Sequence, residues 1–284
     1  MQQRQTKDSA TGLRFGITEC RYFPRRMRHH QQMELVYINK GEGLCFAGDG
    51  ITPFRPGELF FFCSNIPHHL KSAPQFYEPN YPLRCGSTYL QFSEGILPAA
   101  HHSLDEWRNI NRLIKSAERG IKWSAKSIDK SIVKQIEMME LLHGFERMVR
   151  LFEVLNYLGQ RVDEGENIAT PKSSWVRDSS DGPYREVIEY ITHNFHRNIT
   201  LDVLAEHTNM NRTALCRHFK SHSGRSIFDF LLEFRINYAQ QLLRTTHLPI
   251  AEIAQSAGFN SLPNFNVQFK SISRCTPGEF RTKL

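Results

Sequence analysis

Hydrophobic positions follow three different patterns along this chain. In the first part, short apolar runs at 33–38, 44–47, 59–63 and 83–92 are separated by glycine and proline turns. Runs of this length and spacing predict an antiparallel sandwich or barrel of short strands. Between 104 and 162 the apolar residues recur at helical intervals, which predicts a helical pair. From 184 onward the helical spacing returns in shorter segments.

The C-terminal segments contain one short unit twice. Residues 204–211 align with residues 253–260, and each copy leads into a helical run that ends in Phe-Lys. Each unit has an apolar residue and an alanine, followed by Asn209 or Gly258. Asparagine and glycine most readily adopt the left-handed backbone that a tight turn after a helix requires. The unit therefore predicts a helix-turn-helix, whose second helix can lie in the DNA major groove.

Capping residues indicate where these helices begin and end. Asn211 and Asn260 are the expected N-caps of the second helix in each copy, and Thr200 is the expected N-cap of the first helix. Gly224 is expected to end the first copy. A long amphipathic helix of about five turns follows from Ser226 and is expected to hold the two copies at a fixed separation.

Length, charge and cysteine usage narrow the class of protein. The 284 residues are enough for two domains, and the net charge of +7 suits a polyanionic partner. The polar start of the chain predicts no signal peptide, and no apolar run is long enough to predict a membrane span. The six cysteines are scattered and form no C-x-x-C pair. We therefore expect a cytoplasmic protein with reduced thiols, no membrane contact and no cofactor.

The strand-rich region resembles the cupin barrel. His30, Glu34 and Gly41 occupy positions of one cupin motif and His68 a position of the other, but Arg28 stands where the first histidine would be. The resemblance implies that the histidines and the glutamate would bind an ion in a metal cupin. A permanently charged guanidinium removes one ligand and repels a cation, so we expect no metal here.

We expect instead a pocket for a small organic effector, with candidate lining residues His30, Glu34, Tyr37 and His68. Two alternatives stay open for this region. The same side chains form a hydrogen-bonded cluster without a ligand, or the chain is a metal-dependent cupin enzyme with an appended DNA-binding module. A basic run formed by Arg25, Arg26 and Arg28 precedes the first of these strands. Two interpretations of this run are a solvated surface and the rim of an anion-binding site.

Residues 184–284 resemble the DNA-binding domain of the AraC/XylS family of bacterial transcription regulators. The matching positions include Leu204, Ala205, Gly224, Ala239, Ile253, Gly258, Phe265 and Pro277. The resemblance implies an α+β protein of two domains: a cupin-like β-barrel sensor with its helical pair at 1–165, a linker at 166–183, and an all-α double helix-turn-helix domain at 184–284.

The same resemblance implies a ligand-responsive regulator of bacterial promoters, with catalysis excluded. Its implied partners are double-stranded DNA, a small-molecule effector and RNA polymerase, and the sign of regulation is left open between activation and repression. The helical pair is a candidate homodimer contact, although packing within one chain also explains it. A DNA-binding architectural protein that responds to no ligand is the remaining alternative.

The family's base-reading positions fall on the second helix of each copy. With Leu215 and Phe219 facing inward, the outward candidates of the first copy are Arg212, Thr213, Cys216, Arg217 and Lys220. Those of the second copy, where Phe265 and Phe269 face inward, are Leu262, Pro263, Asn264, Asn266, Val267 and Lys270. Arginine pairs with guanine in bidentate fashion, whereas leucine and valine make only apolar contacts. Base readout is therefore expected to depend on the first copy, and shape readout on the second.

Overall fold

A computed structural model of the chain describes residues 2–7, 12–23, 30–169 and 182–283, with backbone alone for 2–7. The predicted basic run at Arg25, Arg26 and Arg28 lies outside the described residues, and so does most of the predicted linker at 166–183. The contacts divide the chain into two compact units. The first contains residues up to Gly48 and from Phe54 to 169, and the second contains Asp49–Pro53 and residues 182–283.

The first part of the chain forms short antiparallel strands, as its apolar runs predict, and the described residues contain ten strands in all. The strands are β1 (Gln2–Lys7), β2 (Arg14–Cys20), β3 (Met33–Lys40), β4 (Gly43–Ala47), β5 (Gly50–Phe54), β6 (Leu59–Phe62), β7 (His68–Ser72), β8 (Cys85–Phe92), β9 (Ile121–Trp123) and β10 (Glu166–Asn167). One sheet has the order β1-β2-β8-β3-β6-β9-β10, and a second has the order β5-β4-β7. Neighbouring strands such as β3 and β8 pair antiparallel.

The side chains of β3 alternate between the core of the first unit and a cavity on the other side of the sheet. Met33 and Leu35 belong to the main core cluster, where they pack with residues of the helices. Glu34 and Val36, the alternate residues, line a cavity on the other side. Because successive side chains of a strand point to opposite faces, one strand contributes both to the core and to the candidate site.

The predicted helical region at 104–162 contains three helices. These are α1 (Arg108–Ala117), α2 (Lys130–Met138) and α3 (Gly144–Gln160). The pattern did not predict β9, which lies between α1 and α2 and pairs with β6. All three residues of β9 are buried, and the Trp123 indole donates a hydrogen bond of 2.9 Å to the carbonyl of Arg161. A segment this short has no detectable period of its own, so only its partner strand makes it a strand.

A buried arginine holds the corner between α2 and α3. Arg147 is 1% exposed, and its Nε donates to the carbonyl of Met139 at 3.0 Å. The same guanidinium lies 3.5 Å from the carbonyl of Glu140. These carbonyls lie just beyond the last turn of α2, where a cation is favoured by the helix dipole and by unsatisfied acceptors. The guanidinium therefore fixes the direction in which the chain leaves α2.

The described residues 182–283 of the second unit form helices and contain no strand. Its helices are α4 (Gly182–Asn194), α5 (Leu201–His207), α6 (Arg212–Ser223), α7 (Ile227–Thr245), α8 (Ile250–Ser256), α9 (Leu262–Ser273) and α10 (Pro277–Thr282). Thr200 caps α5 and Gly224 ends α6 with a φ of 71°, as predicted. The structure adds a capping box at Ser226, the N-cap of α7. The 19 residues of α7 span about 28 Å, and α7 packs against α6, α8 and α9.

The two repeated turns have the same backbone geometry. Asn209 and Gly258 adopt φ values of 53° and 85°. In each turn the next residue donates its N–H back to the alanine of the preceding helix, from Met210 to Ala205 at 2.9 Å and from Phe259 to Ala254 at 3.0 Å. The predicted left-handed positions are therefore confirmed in both copies.

The N-caps of the second helices differ between the copies. Asn211 caps α6 as predicted, and its side chain accepts from the N–H of Ala214 at 2.8 Å. The prediction that Asn260 caps α9 is wrong, because α9 begins one residue later and Ser261 is its N-cap. Within the described part, the Ser261 side chain makes no capping hydrogen bond. The second copy therefore has one more residue between its turn and its helix.

Among the described residues, none of the helices is both long enough and apolar enough to cross a membrane.

Candidate functional site

A small cavity in the first unit is lined by residues of both sheets. Its volume is about 40 Å³, enough for about three water-sized groups. Its walls are formed by Thr18, Phe23, Glu34, Val36, Phe62, His68, His69, Leu70, Ser87 and Tyr89. Half of these ten side chains are apolar or carry a phenyl or phenol ring, and the hydrogen-bonded pair Glu34 and His68 lies among them. This composition suits a small ligand held by a few polar contacts.

Glu34 lies at the centre of a polar cluster. Its Oε2 is 2.6 Å from Nε2 of His68 and 3.1 Å from Nε2 of His30. Gln91, its partner in the pairing of β3 with β8, donates to Oε1 of Glu34 at 3.3 Å. Glu34 and His68 are buried, whereas His30 is partly exposed. The cluster therefore extends from the inside of the cavity toward the surface.

The Nδ1 atoms of His30 and His68 contact backbone carbonyls. Nδ1 of His30 lies 2.7 Å from the carbonyl of Gln32, and Nδ1 of His68 lies 2.9 Å from that of Ile66. A carbonyl only accepts, so each Nδ1 carries a proton and donates it. Both Nε2 atoms are thereby directed at Glu34. His68 also stacks on Phe62, with ring centroids 4.2 Å apart, which fixes the plane of its ring.

The protonation of Glu34 is set by two opposing effects. Burial alone would raise the pKa of this carboxyl, because a charge in an apolar site loses its hydration. The hydrogen bonds from His30 and His68 oppose burial and hold the pKa well below its ordinary value. Glu34 is therefore a carboxylate at neutral pH, and it offers a buried negative charge to any ligand that enters the cavity.

Three of the four predicted ligand-site residues come together. His30, Glu34 and His68 form the cluster, but Tyr37 lies outside it. Tyr37 packs against the core between the sheet and the helices, on the face of β3 opposite to Glu34. Gln91 was missed, because its contact with Glu34 depends on the pairing of two distant strands and no local pattern reveals it.

The geometry of this cluster also suits a metal ion. One ligand atom each from His30, Glu34 and His68 lies within 4.8 Å of the others. Two imidazole nitrogens and a carboxylate oxygen are common ligands of zinc and similar ions. Arg28, on which the expectation of no metal rested, lies outside the described residues. The expectation of no metal therefore stays a prediction.

The predicted DNA-reading side chains of α6 lie together on its exposed face. Leu215 and Phe219 are fully buried, as the helical spacing requires. The five predicted outward residues are all exposed, namely Arg212, Thr213, Cys216, Arg217 and Lys220. This face offers three positive charges and a hydroxyl, which suits contacts with phosphates and with guanine edges.

One of these arginines already has an acidic neighbour. Arg212 forms an ion pair with Asp202 of α5, and the two side chains are 65% and 62% exposed. An ion pair this exposed contributes little to stability, because water screens it. A phosphate or a guanine could therefore compete with Asp202 for the guanidinium at small cost.

The matching face of α9 is exposed but chemically different. Phe265 and Phe269 are fully buried, and the outward residues are Leu262, Pro263, Asn264, Asn266, Val267 and Lys270. Pro263 lies in the first turn of the helix, where a missing N–H costs nothing. Leu262 and Val267 are among the exposed large apolar side chains of the described chain. Apart from Lys270, this face carries no charge among the predicted reading positions.

Comparison with known protein families matches both units. A model described as "AraC-like ligand binding domain" matches residues 15–102, and a model described as "Helix-turn-helix domain" matches residues 204–283. The first match contains the cluster around Glu34, and the second contains both repeated turns and both candidate reading helices.

Relatives of known name are transcription regulators. The chain is 23% identical to the uncharacterized HTH-type transcriptional regulator YfiF of Bacillus subtilis, over 98% of this chain and 85% of that protein. It is 31% identical to the arabinose operon regulatory protein of Escherichia coli, over 36% of this chain and 35% of that one. The chain spans about half or less of several other curated relatives.

Among solved structures, the C-terminal domain of AraT, a response regulator from Geobacillus stearothermophilus, is 30% identical with a TM-score of 0.36. The match covers 37% of this chain and 87% of that one.

Proposed function

This chain belongs to the AraC family of transcription regulators, and we propose that it binds a specific double-stranded DNA site through α6 and α9. The observation that carries the proposal is the division of each helix into two faces. Leu215 and Phe219 in α6 and Phe265 and Phe269 in α9 are buried, while the predicted outward residues of both helices are exposed. Arg217 in α6 is the foremost candidate for base recognition, since arginine can pair with guanine.

Thiol chemistry provides a direct test of the contact made by α6. Cys216 is exposed among the proposed reading residues, whereas Cys63 is buried and burial raises its pKa to about 11. Cys216 should therefore react rapidly with a maleimide, since only the thiolate is a strong nucleophile. DNA selected from a random pool by the full chain should slow this reaction strongly.

Cys275, which is half-buried and lies outside both α6 and α9, is the matched control thiol. Its labelling rate should stay within about twofold on adding DNA. If the selected DNA leaves the labelling of Cys216 unchanged, α6 does not lie against the DNA. If the random pool yields no preferred sequence, the chain is an architectural DNA binder.

The cavity around Glu34 is the proposed effector site. We propose an effector with hydrogen-bond donors that reach Glu34 between His30 and His68, because the carboxylate is the buried charge of this cavity. An effector that fits the cluster differently in two states of the protein would change the presentation of the DNA-binding unit. Activation and repression are both compatible with this scheme.

A pair of substitutions on opposite faces of one strand tests the effector site. His30→Ala should abolish the effect of the ligand on transcription from the cognate promoter, and DNA affinity should be unchanged. Tyr37→Phe is the matched control, since Tyr37 lies on the other face of β3 and should leave the response intact. A normal response in the His30 variant would show that the cluster around Glu34 does not bind the effector.

We propose that two copies of the chain associate through the corner between α2 and α3. Leu141 and Phe145 are 76% and 71% exposed there, and Met138 and Val149 are exposed nearby. Phe145 and Val149 lie one turn apart on α3, so they share a helix face. Large apolar side chains grouped in this way usually mark an interface, and the commonest soluble oligomer is a symmetric dimer.

Sedimentation of the full chain tests this dimer. Phe145→Glu should shift the protein to a monomer at concentrations where the unmodified chain is dimeric. Leu83→Glu is the control, since Leu83 is 58% exposed and precedes β8, outside both α2 and α3. A monomeric unmodified chain, or equal effects of both substitutions, would contradict the proposal.

The remaining assignments follow from the same scheme. The predicted linker at 166–183 is too wide at both ends, since Glu166–Asn167 form β10 and α4 begins at Gly182. We propose that residues 170–181 act as the linker between the two domains, that the protein works in the cytoplasm, and that it contacts RNA polymerase at promoters. Its promoter DNA and the polymerase are both found in that compartment of a bacterium.

A further inference from the structure

A second group of metal-binding side chains lies in the connection between β8 and α1. Glu94 belongs to the 3-10 helix Glu94–Ile96, and His101 and His102 belong to the turn that follows. One ligand atom from each of the three lies within 4.8 Å of the others. Along the described chain, the cluster around Glu34 is the other group with this property, and the two groups share no residue.

His101 is oriented as a metal ligand by its own hydrogen bond. Its Nδ1 lies 2.8 Å from the carbonyl of Pro98, so Nδ1 carries the proton and donates it. That leaves the lone pair on Nε2. Histidines that bind metals usually donate their other ring N–H to a carbonyl or a carboxylate in this way, which fixes both tautomer and ring orientation.

The free nitrogen of His101 is the second observation that points to a ligand. His101 is 5% exposed, and its Nε2 is buried and has no hydrogen-bond partner among the residues that the structure describes. Leaving a buried polar atom unpaired is unfavourable, because it has given up its hydrogen bonds with water. An ion bound to Nε2 would satisfy this atom.

The other two donors are accessible from solvent. Glu94 and His102 are exposed, and the rings of His101 and His102 have centroids only 3.7 Å apart. The backbone beneath them is anchored, since the amide of Asn111 on α1 donates to the carbonyl of His101 at 2.8 Å. An ion could therefore enter from one side while the backbone of the site stays attached to α1.

We propose that Glu94, His101 and His102 bind one divalent transition-metal ion of the zinc class. Two imidazoles and one carboxylate provide three of the ligands that a tetrahedral zinc ion takes, and water can occupy the fourth position. Calcium and magnesium prefer oxygen ligands alone, so this set selects against them. The three ligand atoms lie within 4.8 Å of one another, and rotation of the exposed Glu94 and His102 side chains would bring them closer to an ion bound at His101.

Binding of the ion would brace the connection between the sheet and the helices. It would join the 3-10 helix Glu94–Ile96 to a turn whose backbone is held by α1. Metal binding at this site depends neither on DNA binding nor on the effector cavity. Its test can therefore fail or succeed independently of the proposed function.

Zinc titration of the full chain tests the proposal, with a chromophoric chelator as competitor. The unmodified chain should bind zinc, and His102→Ala and Glu94→Gln should each lose one equivalent or weaken it more than about tenfold. Both substitutions change exposed side chains, so the fold should survive, and a thermal melt without metal checks that it does. His247→Ala removes an exposed histidine of the second unit and should leave the titration unchanged.

Hydrogen exchange locates the ion, since the cluster around Glu34 could also bind zinc. Zinc should slow exchange in peptides that cover residues 94–103, and His102→Ala should abolish this protection while leaving any protection near His68. The proposal is overturned if zinc protects only the peptides near His68, or if all the variants, His247→Ala included, titrate like the unmodified chain.

Discussion

The two helix-turn-helix copies share one backbone and differ in their surfaces. Both turns place a left-handed residue after the first helix, and both second helices bury two apolar residues against the core. The outward residues follow no such rule, since Arg217 in α6 corresponds to Val267 in α9. The inward positions are constrained by packing and the outward positions by a partner, so the copies can keep one fold while they diverge in what they contact.

The two repeated turns also differ in how closely other residues approach the left-handed residue, Gly258 or Asn209. A Cβ added to Gly258 would lie 2.5 Å from the carbonyl oxygen of Phe195 and 2.9 Å from Cα of His196. Asn209, at the same place in the first copy, already carries a side chain and is exposed. The two positions therefore need the same φ for the same turn, but only one of them needs glycine.

The largest expected effect is that of Gly258→Ala. It combines an unfavourable positive φ with a clash against backbone atoms, and should lower the free energy of unfolding by roughly 2–4 kcal/mol. Asn209→Ala meets only the first cost, about 1–2 kcal/mol, and Asn209→Gly should be close to neutral. Denaturation followed by far-ultraviolet circular dichroism compares the three. Equal losses at the two alanine variants would mean that the crowding around Gly258 is unimportant.

The next effect concerns DNA recognition. Arg217→Ala should weaken binding to the selected DNA by about 1–3 kcal/mol and relax the preference at one base pair. Val267→Ala, its counterpart in α9, removes only apolar contact and should cost less than about 1 kcal/mol. Binding titrations on the selected site and on single-base variants separate these outcomes. If Arg217→Ala weakens binding equally on all DNA sequences, Arg217 contacts phosphate and not a base. If Val267→Ala weakens binding more than Arg217→Ala does, base readout depends on α9 and not on α6.

The smallest effect concerns the two N-caps. Asn211→Ala removes a hydrogen bond to the start of α6 and should cost about 1 kcal/mol of stability. Ser261→Ala should change stability by no more than about 0.5 kcal/mol, since the described structure shows no capping bond from this side chain. Urea denaturation of the two variants gives the comparison. Equal losses would show that Ser261 caps α9 in solution.

The sequence was most informative where a local pattern fixes the structure. The left-handed turns at Asn209 and Gly258, the caps at Thr200 and Ser226, and the end of α6 depend only on nearby residues. The fold class and the exposed faces of α6 and α9 follow from the same periodicity. These features could therefore be predicted in advance.

The sequence was less informative where distant segments meet. The alternation along β3 puts Tyr37 and Glu34 on opposite faces, whereas the cupin motif concerns spacing along the chain and does not distinguish the faces. The hydrogen bond from Gln91 to Glu34 requires the register between β3 and β8, which no local signal contains. The prediction for Asn260 fails because the second copy has one more residue between its turn and its second helix, and the alignment of 204–211 with 253–260 does not contain that residue.

The positions of the tryptophans allow fluorescence to report on the first unit without a contribution from the helices α4 to α10. The three tryptophans are Trp107, Trp123 and Trp175, and none follows the start of α4. Trp123 is fully buried, and the ring of Trp107 lies 5.2 Å from that of Phe152 in the first unit. Emission from Trp107 and Trp123 will therefore follow the melting of the sheet and its helices, whereas α6 and α9 contain no tryptophan. Trp175 lies outside the described residues. Trp107 and Trp123 are therefore intrinsic fluorescent probes of the unit that contains the proposed effector cavity. A shift in their emission on adding a metabolite would identify effectors without an added dye.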